Sequence, residues 1–159
     1  MLRWFSYRPY TYAEIAAKYL PRIRYEVPTD PYLILYADQP IGFIQTYRIS
    51  DHPAYNQYVQ ADEHTAGLDL FIGEEEYLHR GLGSSILREF LQQVVFAQDW
   101  ADSCVVGPEP DNQIAIRAYQ KAGFRYWKTV QITEEPQPEI LLRIHRRDIT
   151  MDAQSSVGD

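Results

Sequence analysis

Residues 68–87 read LDLFIGEEEYLHRGLGSSIL, and the order of apolar residues and glycines in this stretch decides the fold. Gly67-Leu-Asp-Leu-Phe-Ile-Gly73 is a short apolar run broken by one acid, which predicts a strand. Gly81 and Gly83 follow a charged turn. From near Ser84 the apolar residues then recur in pairs every four positions, at Ile86, Leu87, Phe90, Leu91, Val94 and Val95, the stripe of an amphipathic helix. Closely spaced glycines let backbone approach a ligand, and a helix N-terminus offers free N–H groups with a partial positive charge. Together they suit a phosphate, and Arg80 adds a full charge. The Rossmann fingerprint fails because Ile86 holds its third glycine position, and no Walker-type Gly-Lys-Ser/Thr occurs. An ordinary strand-to-helix turn is the simpler use of a Gly-x-Gly.

Upstream, Thr11 and Glu14 have capping-box spacing ahead of the stripe Ile15, Ala16, Tyr19, Leu20, which predicts a helix over about 12–20 closed by Pro21. Residues 32–36 and 41–49 read as a hairpin, and residues 50–65, polar and Tyr-rich, as a long loop. Downstream come a buried strand at 103–106, the turn GPEPDN, and a helix from Asn112 to Ala122 stopped by Gly123. Residues 124–132 and 139–144 form a closing antiparallel pair. The fold class expected is α/β, a mixed sheet flanked by helices. Residues 1–147 make one domain and 148–159 a disordered tail.

The 159 residues carry a formal charge of −7. Between Ile49 and His79 lie Asp51, Asp62, Glu63, Asp69, Glu74, Glu75 and Glu76 with no Lys or Arg, while elsewhere acids and bases balance. That pattern excludes nucleic acid and anionic membranes as partners and admits a cationic ligand. Cys104 is alone beside Val105 and Val106, an inert core thiol compatible with a reducing cytoplasm. No segment has the length of a membrane span. His52, His64 and His79 lack metal-ligand spacing, so no metal is expected. Tyr55 and Tyr58 fit either sugar packing or simple filling.

The second informative segment is DNQIAIRAYQKAGF, residues 111–124. With LDLFIGEEEYLHRGLGSSIL it resembles the two cofactor motifs of the GNAT family of acetyl-CoA-dependent N-acetyltransferases. Asp69 in its strand and the Pro-x-Pro before Asn112 are most similar to the aminoglycoside 6'-N-acetyltransferase branch. The resemblance implies acetyl-CoA as cosubstrate. Phe71 and Ile72 would pair their backbone with its pantetheine arm. Arg80, Gly81, Leu82, Gly83 and Ser84 would wrap the pyrophosphate, and Asn112 would touch the pantetheine. Tyr119 matches the residue near the thioester sulfur, in the role of proton donor to the departing thiolate. A core aromatic on its helix face is the alternative.

An acid between Leu68 and Leu70 points to the opposite strand face from its neighbours, toward solvent, an ion pair or a substrate. As an active-site group, Asp69 would bind the acceptor ammonium and take its proton, and backbone N–H near Ile72 would hold the oxyanion. The expected function is acetyl transfer to a primary amine of a small cationic acceptor, with aminoglycosides the first class to try and homodimerisation left open. Alternatives are a siderophore-type hydroxylamine acetyltransferase, whose relatives carry His at the Asp69 position, and an inactive domain that binds coenzyme A or a partner chain. Two features depart from the family pattern. Gly107 stands where the aminoglycoside branch has an acid. The chain also opens at Leu2-Arg3-Trp4-Phe5, which the family places after a further strand and helix, so that an N-terminal strand and helix are missing from the expected fold and a sheet edge is left bare.

Overall fold

The computed structural model describes residues 11–73 and 81–149. In chain order the elements are α1 (Tyr12–Ile23), β1 (Asp30–Tyr36), β2 (Gln39–Arg48), a 3-10 turn (Ile49–Asp51), α2 (Pro53–Val59), β3 (Thr65–Ile72), α3 (Leu82–Phe90), β4 (Ser103–Val106), α4 (Gln113–Ala122), β5 (Arg125–Val130) and β6 (Glu139–His145). Six strands form one mixed sheet in the order β1-β2-β3-β4-β6-β5, with β3 and β4 the parallel pair.

The alternation of side chains along the strands divides the core in two. On one face Ile44, Leu68, Cys104, Val106, Leu142 and Ile144 meet Leu87, Phe90 and Leu91 of α3 and its extension and Ile116 and Tyr119 of α4. On the other face Val105, Val130 and Leu141 close over Ile49 and Val59, with Tyr47, Tyr55 and Tyr58 packed around them. α3 runs on into a π-helical turn at Leu91–Val95, in which the amide of Phe96 reaches back to the carbonyl of Leu91. The wider turn keeps Leu91 and Val95 both buried. Residues 146–149 add a helical turn that buries Ile149 in the first core.

Two expectations need correction. α1 does not stop before Pro21 but passes through it to Ile23, because the capping box at Thr11 and Glu14 anchors its start and a proline in the last turn removes only one helical hydrogen bond. Residues 50–65 are not an open loop. Pro53 begins α2 at a position where its missing N–H costs nothing, Gln60 caps it in the left-handed region (φ 55°), and Asn56 bridges forward to both backbone groups of Ala61. β1 pairs with β2 along one side, and Leu33 and Leu35 on it are exposed. Residues 1–10 lie outside the described residues, so the expectation at Leu2–Phe5 is not addressed by the structure.

Candidate active site

β3 and β4 pair only from Thr65 to Gly67 against Ser103 to Val105. Beyond Gly67 β3 continues to Ile72 while β4 ends at Val106, so the two strands part and, among the described residues, leave one edge of β3 open. Which backbone groups face that opening follows from the β2–β3 ladder. The Gly73 amide donates to the carbonyl of Ile41, and the register to Arg48↔Ala66 is unbroken, so Phe71, Asp69 and Gly67 exchange bonds with β2. The space above Gly42 is occupied by the carbonyl oxygen of Phe71, in agreement. Leu70 and Ile72 therefore turn their N–H and C=O to the open edge, whereas Phe71 turns its own to β2.

Asp69 stands at this opening. Its neighbour Leu68 is buried and Asp69 itself is reached by solvent, as alternation requires. Gln45, directly opposite on β2, donates its side-chain amide to Asp69 Oδ2 at 2.6 Å, and Arg22 of α1 donates to Gln45 Oε1 at 2.7 Å. Arginine only donates, so it fixes which end of the Gln45 amide faces the carboxylate. Although solvent reaches it, enough protein surrounds Asp69 for burial to push its carboxyl above the usual value. The Gln45 hydrogen bond and the charges of Arg22, Lys18 and His52 work the other way.

Tyr119 belongs to the core on the opposite sheet face, edge-on to Phe124 at 5.7 Å. Burial raises its phenol above the ordinary range, and Asp69 and Cys104 add to the effect. It is thus both a core aromatic and a hydroxyl within electrostatic reach of Asp69.

At the other end of the opening, Gly81 adopts φ 71°, where a side chain would be strained, and begins α3 with no side-chain cap on its first N–H groups. Those of Leu82, Gly83 and Ser84 are the orphan donors of a helix start. Ser84 is buried, with its hydroxyl near the Gly81 carbonyl at 3.4 Å. A side chain on Gly83 would meet Ala118 of α4 only at 3.5 Å, so packing does not demand glycine there. Lys121, which sequence reasoning passed over, brings its ammonium to 3.9 Å from where a Cβ on Gly81 would sit. Asn112 accepts the Ala115 amide at 3.2 Å as the cap of α4, which leaves its own amide group to donate. Arg80, Glu74, Glu75, Glu76 and His79 lie outside the described residues. An open strand edge, uncapped helical N–H groups and a nearby cation fit an extended amide-bearing chain that ends in phosphates.

One further residue was missed. Glu139, at the start of β6, accepts a hydrogen bond from Tyr55 of α2 at 2.8 Å, and its carboxylate fills the place that a side chain on Gly107 would take. Burial raises its carboxyl to about 7, against the Tyr55 hydrogen bond and with help from Asp69, Glu135 and Glu109. Tyr55 is thus a ligand of an acid, and Tyr58 is tied to Thr133 at 3.1 Å. His52 bonds Thr29 and Pro28, and no group of acids, histidines and cysteines among the described residues could hold a metal. Among those residues, too, no helix is long and apolar enough to cross a membrane. One cavity of about 330 Å³ lies toward the other end of β2, lined by Asp30, Arg48, Asp51 and Trp100, away from the α3 start.

Comparison with known proteins gives three findings. Residues 4–132 match the family model described as the acetyltransferase (GNAT) domain. An aminoglycoside N(6')-acetyltransferase type 1 of Klebsiella pneumoniae is 29% identical over 126 residues, 79% of this chain and 62% of that protein. The chain thus spans less than two thirds of the length of that curated relative. Crystal structures of the aminoglycoside acetyltransferase AAC(6')-Ib superpose closely: the complex with coenzyme A has TM-score 0.84 at 25% identity, over 96% of this chain and 86% of that one. The complex with paromomycin and acetyl-CoA has TM-score 0.83 at 26% identity, over 94% and 82%. With the family match covering most of its length and the parted strands and glycine-opened helix in place, the chain belongs to the GNAT acetyltransferase family.

Proposed function

We propose that the protein transfers an acetyl group from acetyl-CoA to a primary amine of a small cationic acceptor, of which aminoglycosides are the leading class. The observation that carries this reading is Asp69: a solvent-reached carboxylate on β3 beyond the point where β3 and β4 part, held by Gln45 and, through it, Arg22. The relatives with aminoglycoside names and complexes support the acceptor class. Leu70, through its outward N–H and C=O, and Ile72, through its outward C=O, would hold the pantetheine arm, with Asn112 donating to it. Gly81 to Ser84, with Arg80 and Lys121, would receive the phosphates. Bound acetyl-CoA supplies the thioester carbonyl.

Asp69 pairs with the acceptor ammonium and takes its proton, and its raised affinity for protons makes it a better base than an ordinary aspartate near neutral pH. The outward amide of Ile72 would donate to the oxyanion. Tyr119 remains protonated at working pH because its phenol is raised. An unperturbed thiol titrates near about 8.5, so full proton transfer from this phenol to sulfur runs uphill. Its role is a hydrogen bond to the departing sulfur.

Asp69→Asn tests the reading. Coenzyme A release with tobramycin or kanamycin is expected to fall about 10²–10⁴-fold, the range of a positioned base, while coenzyme A affinity stays within about twofold of the parent. Equal loss of turnover and coenzyme A binding would remove Asp69 from the chemistry.

A further inference from the structure

Asp69 and Gly107 each stand two residues beyond the last parallel pair, Gly67↔Val105, so they occupy the same level on the two sides of the parting strands and project to the same sheet face. On that face Tyr47 lies against Gly67 as the floor between them. Gly107 has no side chain, and its space is filled diagonally from β6 by the Glu139 carboxylate, which Tyr55 secures. The face therefore carries two carboxylates, one on either side of the opening. Apart from Asp69, the groups among the described residues that weigh most on Glu139 are Tyr55, Glu135 and Glu109, none of them a cation.

Resting on the amine-acceptor reading above, we propose that Glu139, held by Tyr55 in the space left by Gly107, is a second ammonium-binding site of the acceptor cleft. It selects acceptors that carry a cationic group in addition to the amine paired with Asp69. The second cation supplies a countercharge that the described residues do not place beside this half-buried acid, and desolvation makes such a pairing stronger than on an open surface.

The test is ligand-observed NMR titration at pH 8, with coenzyme A present, of the parent, Glu139→Gln and Gly107→Ala. Tobramycin is the polycation probe and cyclohexylmethylamine the monocation. Glu139→Gln keeps the acceptor for Tyr55 and is expected to weaken tobramycin by about tenfold or more, the loss of one charged hydrogen bond, with the monocation changed by less than about twofold. Gly107→Ala puts a methyl group where the carboxylate sits and should give the same loss with Glu139 intact. At pH 6 the gap between parent and Glu139→Gln should narrow as Glu139 gains its proton. Asp69 is present in both proteins, so the comparison reads Glu139 together with the repulsion between the two carboxylates. Equal weakening of both probes, no weakening, or no tobramycin binding by the parent overturns the proposal. Selective binding without acetyl transfer would instead remove the enzymatic reading and leave the second site standing. Transfer to tobramycin that survives Glu139→Gln with unchanged affinity would do the reverse.

Discussion

A carboxylate kept half-buried with no cation beside it among the described residues should weaken the fold, and Glu139→Gln measures by how much. Glu139 has its carboxyl raised from 4.5 to about 7. At 1.36 kcal/mol per pH unit, this makes its ionised form less favourable in the fold by about 3 kcal/mol, and partial solvation trims the figure to about 2 kcal/mol. The sign follows from proton uptake. Between 4.5 and about 7 the folded chain holds a proton on Glu139 that the unfolded chain has released, so this contribution to stability is complete below 4.5 and is lost as pH rises through about 7. Glutamine cannot ionise and escapes the loss. The variant should match the parent at pH 4 and exceed it by about 2 kcal/mol at pH 8, a thermal midpoint higher by about 4–8 °C for a chain of this size. Circular dichroism melts of both proteins at pH 4, 6 and 8 read this directly. A gap that does not change with pH, or a variant less stable at pH 8, would refute the account of Glu139 as a strained acid.

Three other outcomes can be checked alongside. Gln45→Leu removes the hydrogen bond that holds the Asp69 carboxyl down. The acid limb of kcat/KM should move up by about one pH unit, and a limb that stays put would show Gln45 to be a spacer. Tyr119→Phe keeps the ring against Phe124 and should lower kcat by roughly ten- to a hundredfold, the value of a hydrogen bond to a charged atom, without moving the thermal midpoint. An unchanged kcat would leave Tyr119 with packing alone. Gly123→Ala forces a side chain into φ 111° and to 3.1 Å from Ile144 Cδ1. A loss of about 1–2 kcal/mol in urea unfolding is expected, and a neutral result would mean the α4 terminus shifts freely.

What could be read from the chain and what could not divide along the range of the interactions. The strand read at 67–73 and found at Thr65–Ile72, and the two helices after it, announce themselves because periodicity and caps are local: Asn112 caps α4 three residues from its partner amide, and Gly123 ends the same helix. α2 is illegible from composition because Tyr55 finds its partner in Glu139 and Tyr58 finds Thr133, both far along the chain. The same holds inside the site. Asp69 stands out as one acid in an apolar strand, but Gln45 matters only through the β2–β3 register, and Glu139 only because Gly107 is vacant beside it.

That difference also revises the charge pattern. The acids between Ile49 and His79 account for the formal −7, yet the second carboxylate at the opening comes from outside that stretch, at the head of β6. A formal count takes Glu139 as a full anion near neutrality. With its carboxyl at about 7 it is about half ionised there, so a cationic acceptor that binds it also completes its ionisation. Affinity for such an acceptor then depends on pH in the range where the amine is still protonated and Glu139 is not yet fully charged. The pH dependence of that attraction is therefore set by burial of Glu139, which a count of acids along the sequence does not show.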